Sequence, residues 1–163
     1  MLRTSVLTLA AFAFALPLTA NADDTGTPAL YADFSDGPVT GTLNISETGT
    51  DENPYYGGSH RLLANNASSV TASFNLEDKP AQTILRLEHL TASFGSREGY
   101  SPVDIIVNNQ IAAQDFSPQA MNYVWSTFDI SQLVQQGENE IVIRLGNART
   151  HYWIKRMEIA TGD

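Results

Sequence analysis

Gly137-Glu138-Asn139-Glu140-Ile141-Val142-Ile143-Arg144-Leu145 decides the fold. Ile141, Ile143 and Leu145 recur at every second position, which is the signature of a strand with one face on a core. The same period runs outward from this segment in both directions. Val103, Ile105 and Val107 alternate with Asp104 and Asn108. Val70, Ala72, Phe74 and Leu76 alternate with Thr71, Ser73 and Asn75, and Leu85 and Leu87 oppose Arg86 and Glu88. Phe128 and Ile130 share one face, so Trp125 points to the other. Turn signals separate these runs. Asp78-Lys79-Pro80 breaks a strand, and Asn108-Asn109 suits a tight hairpin because Asn tolerates positive φ. Residues 131–136 read as one helical turn capped by Asp129 or Ser131.

Toward the ends the pattern weakens. Residues 30–45 suggest one or two short strands, 46–58 a polar loop, 59–64 a short strand, and 152–159 the last strand, with Trp153 sharing a core face with Met157 and Ile159. The sum is eight to ten strands and no helix beyond a turn or two. Regular strand spacing of this kind predicts an all-β, two-sheet antiparallel β-sandwich rather than a βαβ architecture.

Arg3, the apolar run from Val6 to Leu18 and the small-x-small triplet Ala20-Asn21-Ala22 have the form of a cleaved signal peptide. The expected division is residues 1–22 as signal peptide and 23–163 as a single β-sandwich domain, periplasmic or secreted, with no membrane span in the mature chain. The chain has no Cys, so its stability is expected from packed apolar surface. The formal charge of −9 becomes −10 without Arg3. Such acidity repels phosphate backbones and argues against nucleic acid as a partner.

Consecutive antiparallel strands reverse direction, so their loops fall alternately at two poles. The turn at 78–80, the Asn108-Asn109 turn and the 131–138 connection should share one pole, which carries small and polar groups. Loops 93–102, 117–122 and 147–151 should share the other, where Arg97, Tyr100, Tyr123, Trp125, Arg149, His151 and Tyr152 lie on or beside them. A pyranose offers an apolar C–H face to Tyr or Trp and hydroxyls to Arg, Asn and His. Arg97, Arg149 and His151 form a basic group that would favour a carboxylated or sulfated glycan. The competing reading has these aromatics plug the open end of the sandwich. Tyr55, Tyr56, His60 and Arg61 form a second candidate platform, at the opposite pole if 59–64 is a strand.

The hairpin Val103-Asp104-Ile105-Ile106-Val107-Asn108-Asn109, then Phe128-Asp129-Ile130-Ser131, then Gly137-x-Asn139-x-Ile141-x-Ile143 and the closing Tyr152-Trp153-Ile154 resemble galactose-binding-domain-like jelly rolls. Many carbohydrate-binding modules have this form. The likeness covers about half of the mature chain and weakens before Val70, and Asn109 stands where the family often has Gly. It implies an eight-stranded jelly roll, often with ligand loops at one end and sometimes a structural calcium, for which no ligands can be assigned here residue by residue. No other cofactor is expected.

Catalysis would need a nucleophile, a base or a metal. The three histidines, His60, His89 and His151, form no H-x-H or H-E-x-x-H pattern, and no G-x-S-x-G elbow is present. His89 shares the face of Leu85 and Leu87 and reads as a core or rim residue. The expectation is a non-catalytic carbohydrate-binding module with a glycan partner outside the cytoplasm. The rivals are a structural or protein-interaction module of the envelope or extracellular matrix, and a detached accessory domain of a secreted hydrolase.

Overall fold

The computed structural model describes residues 30–35, 37–54, 59–92, 101–118, 122–146 and 151–162. These hold twelve strands in chain order: β1 (Leu30–Asp33), β2 (Thr40–Gly41), β3 (Asn44–Thr48), β4 (Thr50–Pro54), β5 (Ser59–Leu63), β6 (Ser69–Leu76), β7 (Gln82–Ala92), β8 (Val103–Val107), β9 (Gln110–Phe116), β10 (Val124–Asp129), β11 (Gly137–Leu145) and β12 (His151–Gly162). They form two antiparallel sheets not closed into a barrel. The larger runs β10-β7-β12-β1-β2, with β5 also on β12 and β4 on β5, and the smaller runs β3-β6-β11-β8-β9. This is the two-sheet jelly roll expected, with more strands than the eight to ten read from periodicity. The excess comes from the polar segment 46–58, read as loop, where β3 and β4 pair at sheet margins. Exposed margin strands carry no apolar alternation, so the periodic signal is silent there.

The core lies between the sheets. Leu85 and Leu87 from the larger sheet meet Val70, Ile105, Ile141 and Ile143 from the smaller, all fully buried. Each such side chain contributes roughly 1.5–3 kcal/mol by leaving water. The turn at 108–109 has both residues at positive φ, 48° and 64°, which two consecutive asparagines accept and most residues do not. Asn109→Gly is expected to raise the unfolding free energy by a few tenths of a kcal/mol, since glycine carries no Cβ penalty there. Urea denaturation checks it, and a loss of stability would contradict the turn geometry.

The three turns expected at the first pole lie together. Gln136 Nε2 donates to Glu77 O at 2.8 Å, and Asn108 Nδ2 to Leu133 O at 2.9 Å, which joins the three turns of the first pole. At the other end Gly146 N donates to Pro102 O at 3.1 Å, and Ser101 N to Thr91 Oγ1 at 3.1 Å.

One parity reading fails. β12 carries a bulge between Ile154 and Arg156: Ile154 pairs with His89 and Arg156 with Glu88, leaving Lys155 as an extra residue. Counting back from Ile159 and Met157 across that extra residue reverses the faces. Tyr152 therefore enters the core and Trp153 leaves it for the opposite side of the sheet, where it packs with Leu62 and Leu90 in a small separate cluster.

Candidate functional site

The outer face of the larger sheet brings Tyr31, Tyr123 and Trp125 together with Asp33, Arg86, Glu88, Lys155, Arg156 and Glu158. β7 turns Leu85, Leu87 and His89 inward, so Arg86 and Glu88 point out. β10 turns Val124, Ser126 and Phe128 inward, so Tyr123 (just before the strand) and Trp125 point out. Backbone register then sets two adjacent rows across four strands. One reads Trp125, Glu88, Arg156, Asp33, and the next reads Thr127, Arg86, Glu158, Tyr31. Opposite charges alternate along and between the rows. Glycine is required at Gly41, because a Cβ there would collide with the Tyr31 carbonyl, so β2 closes tightly on the strand bearing Tyr31.

The contacts follow from that register. Lys155 Nζ lies 2.8 Å from Glu88 Oε1. Arg86 Nη1 lies 3.1 Å from Glu158 Oε2, and Arg156 Nε 2.8 Å from Glu158 Oε1. Arg156 also reaches Asp33 at 3.9 Å. Each cation stands over a ring: Arg86 over Trp125 at 4.8 Å, Arg156 over Tyr31 at 5.2 Å and Lys155 over Tyr123 at 5.6 Å. His60 meets Tyr123 edge-on at 4.6 Å. Trp125 is 42% exposed, and Ile111 is the other exposed large hydrophobic among the described residues. An exposed indole inside a paired charge lattice is a stacking surface ringed by hydrogen-bonding groups.

Of the expected site residues, Tyr123, Trp125 and His151 come to this outer face, His151 edge-on to Trp153 at 5.4 Å. Tyr152 does not. It is fully buried with its hydroxyl on His89 Nδ1, so its ring is unavailable for stacking, and burial raises its pKa far above the usual phenol value. Arg97, Tyr100 and Arg149 lie outside the described residues, as do Tyr55 and Tyr56. β5 is a strand, which meets the condition set for that second platform, and its described members are packed within the fold. Arg61 is buried in an ion pair with Glu47 across the sheet margins, and His60 is 4% exposed against Tyr123. Tyr31, Arg86, Glu88, Arg156 and Glu158 were missed. Their outward parity on β7 and β12 was readable, but their meeting required the strand order.

His89 is sealed between the Tyr152 hydroxyl, Ser126 Oγ at 2.7 Å and the stacked ring of Phe116. Burial lowers its pKa from 6.5 to about 3. The Ser126–His89 contact superficially resembles a nucleophile and its base. A general base works best with a pKa near the working pH, so this imidazole is too weak a base for that role.

A calcium ion would need several oxygen ligands converging on one point. Asp104 Oδ1 accepts the Asp115 backbone N–H at 3.2 Å, and its Oδ2 accepts Arg144 Nη2 at 2.9 Å, so this carboxylate is paired with a cation of the chain itself. Among the described residues no group of three or more His, Asp or Glu is placed to hold a metal. The described carboxylates are therefore not clustered as a calcium ion requires, and no calcium ligand is assigned among them.

No family model matches the chain, and no curated protein matches it. Solved structures do. A family 36 carbohydrate-binding module in complex with calcium and xylotriose shares 16% identity at a TM-score of 0.54, over 72% of this chain and 93% of that one. A family 36 domain of a multidomain xylanase from the hindgut metagenome of Trinervitermes trinervoides shares 11% at 0.51, over 75% and 99%. A family 35 module from Paenibacillus barcinonensis shares 13% at 0.52, over 75% and 100%. At such identities the common property is the fold, and the fold is the galactose-binding-like jelly roll of carbohydrate-binding modules.

Proposed function

We propose that this protein is an exported, non-catalytic carbohydrate-binding module whose glycan lies across the outer face of the larger sheet. The observation that carries the reading is Trp125, exposed within a lattice of paired guanidinium and carboxylate groups. The jelly-roll fold supports it, as do neighbours whose names state carbohydrate binding. Sugar C–H groups stack on Trp125, Tyr123 and Tyr31, while hydroxyls exchange hydrogen bonds with Glu88, Arg86 and Lys155. Trp125 and Tyr31 stand on strands three spacings apart, about 14 Å, which suits an oligosaccharide longer than one ring.

The acidic-glycan preference read from sequence rests on Arg97, Arg149 and His151. The three described cations of this face are each paired with a carboxylate, which favours a neutral glycan and leaves an acidic one as the alternative to be tested. A stacked ring contributes about 0.5–1.5 kcal/mol beyond burial, so millimolar to micromolar affinity is expected. Trp125→Ala should weaken binding about tenfold in affinity electrophoresis against neutral and acidic polysaccharides, equivalent to about 1.4 kcal/mol. Unchanged binding would remove the platform. Export rests on the segment before residue 23, and N-terminal sequencing of the mature protein tests it.

One observation favours a protein partner instead. β10 ends the larger sheet with no described strand on its outer side, and Val124–Asp129 contains neither Pro nor Lys. By contrast β4, another margin strand, carries Asp51, Glu52 and Pro54. An unguarded edge accepts an added strand. A protein that bound no glycan but recruited an extended peptide along β10 would answer to this reading.

A further inference from the structure

The two rows of the outer face converge on one side chain. Glu158 is 6% exposed, yet it is charged and lies on the solvent side of its strand. Its backbone pairs with Arg86 on one side and Tyr31 on the other. Its two oxygens are divided between two guanidiniums, Oε2 to Arg86 at 3.1 Å and Oε1 to Arg156 at 2.8 Å. Those guanidiniums cover the two outermost rings of the rows, Trp125 and Tyr31. A single carboxylate thus ties together two cations that sit on rings at opposite ends of the two rows.

We infer that Glu158 is the positioning and specificity-determining residue of this surface: it fixes Arg86 over Trp125 and Arg156 over Tyr31, and together with Glu88 and Asp33 it completes the charge balance by which the face selects an uncharged glycan. This rests on the platform reading above. With one carboxylate engaging both guanidiniums, each keeps further N–H donors for sugar hydroxyls in a fixed fork. A uronate or sulfate approaching the same donors meets Glu158, Glu88 and Asp33, so the three cations offer it no net attraction. Lysine in place of either arginine would lose the fork, and aspartate in place of Glu158 would be too short to span both.

The test uses the full mature chain labelled with 5-fluorotryptophan, whose two tryptophans give two fluorine resonances assigned through Trp125→Phe. In Glu158→Gln the Trp125 resonance should shift, while buried Trp153 serves as an internal control. Xylotriose, as the neutral probe, should bind about 5- to 10-fold more weakly, and trigalacturonate, as the acidic probe, more tightly than to the wild type. Arg86→Gln leaves the Glu158–Arg156 pair in place and guards against misfolding of the first variant. It should also shift the Trp125 resonance and weaken xylotriose, but it should weaken trigalacturonate as well. An unmoved Trp125 resonance in Glu158→Gln overturns the positioning role, whatever Arg86→Gln does. Equal changes for the two saccharides in Glu158→Gln overturn the specificity role. Absence of saccharide binding by the wild type would instead defeat the platform reading and the specificity role with it, while the fluorine shift would still decide positioning.

Discussion

Between pH 6.5 and pH 3 the fold is expected to lose roughly 3–5 kcal/mol through His89 alone. The imidazole is fully buried against Tyr152, Ser126 and Phe116, and burial lowers its pKa to about 3. In the unfolded chain the same group takes up its proton near the ordinary value of 6.5. The unfolded state therefore binds more protons across this window, and stability rises with pH there. The contribution is complete above pH 6.5, falls by about 1.4 kcal/mol per unit as the pH drops, and is exhausted near pH 3. Asp129, whose pKa is lowered by the hydroxyl and backbone N–H of Ser131, adds a loss of the same sign at lower pH. His89→Gln isolates the histidine, since glutamine keeps a donor and an acceptor for Tyr152 and Ser126 but does not titrate. Its stability at pH 7 should be lower, and its decline between pH 6.5 and 4 shallower by about 1 kcal/mol per unit. Urea melts across that range measure both slopes. Parallel slopes in wild type and variant would show that the buried imidazole does not govern acid sensitivity.

His89 also shows what could be read without coordinates. Its place on the face of Leu85 and Leu87 followed from period two alone, and the structure puts all three in the core. The grouping of the turns at 78–80, 108–109 and 131–138 followed from strand reversal, and it survives because reversal is a property of antiparallel pairing whichever sheet a strand joins. Ring orientation was legible only where parity ran unbroken. Trp125 was placed on the outer side from Phe128 and Ile130, correctly, across a regular strand. Tyr152 and Trp153 were exchanged because one extra residue, Lys155, sits in a bulge that no local composition marks. The outer-face lattice was invisible for a different reason. Arg86, Glu158 and Tyr31 lie far apart in sequence, and they meet because β12 lies between β7 and β1. Hydrophobic periodicity says which way a side chain points, but strand order says what stands beside it. Candidate binding residues were therefore sought on loops, where sequence neighbours are spatial neighbours, and the proposed glycan face, built where they are not, stayed unread.

Asn139→Ala is expected to cost about 2–4 kcal/mol, although it deletes no apolar contact. The residue is 3% exposed at the start of β11 and works as a latch. Its Oδ1 accepts Gln135 N and Asn108 Nδ2, each at 2.8 Å. Its Nδ2 donates to Gln135 O at 2.8 Å and Gly137 O at 2.9 Å. Asn108 in turn accepts Glu140 N at 2.9 Å, so the 108–109 hairpin and the turn before β11 are one polar assembly. Each bond is worth about 0.5–1.5 kcal/mol net, and alanine leaves its partners without their mates. The sequence pattern Gly-x-Asn-x-Ile-x-Ile acquires a physical meaning from this. Gly137 takes φ +89°, Asn139 ties the turn it ends, and Ile141 and Ile143, both fully buried, anchor the strand that follows. Asn139→Asp separates the donors from the acceptors. It keeps two acceptor oxygens but turns one of them toward the carbonyls of Gln135 and Gly137, so it should be at least as costly as alanine at neutral pH. A loss below about 1 kcal/mol for alanine in urea denaturation would mean that water replaces the latch. A benign aspartate would mean that the two carbonyls need no donor. Either result would move the origin of this turn's stability from Asn139 to the packing of Ile130 and Val134 beneath it, where the single helical turn closes with Val134 N on Ile130 O at 3.2 Å.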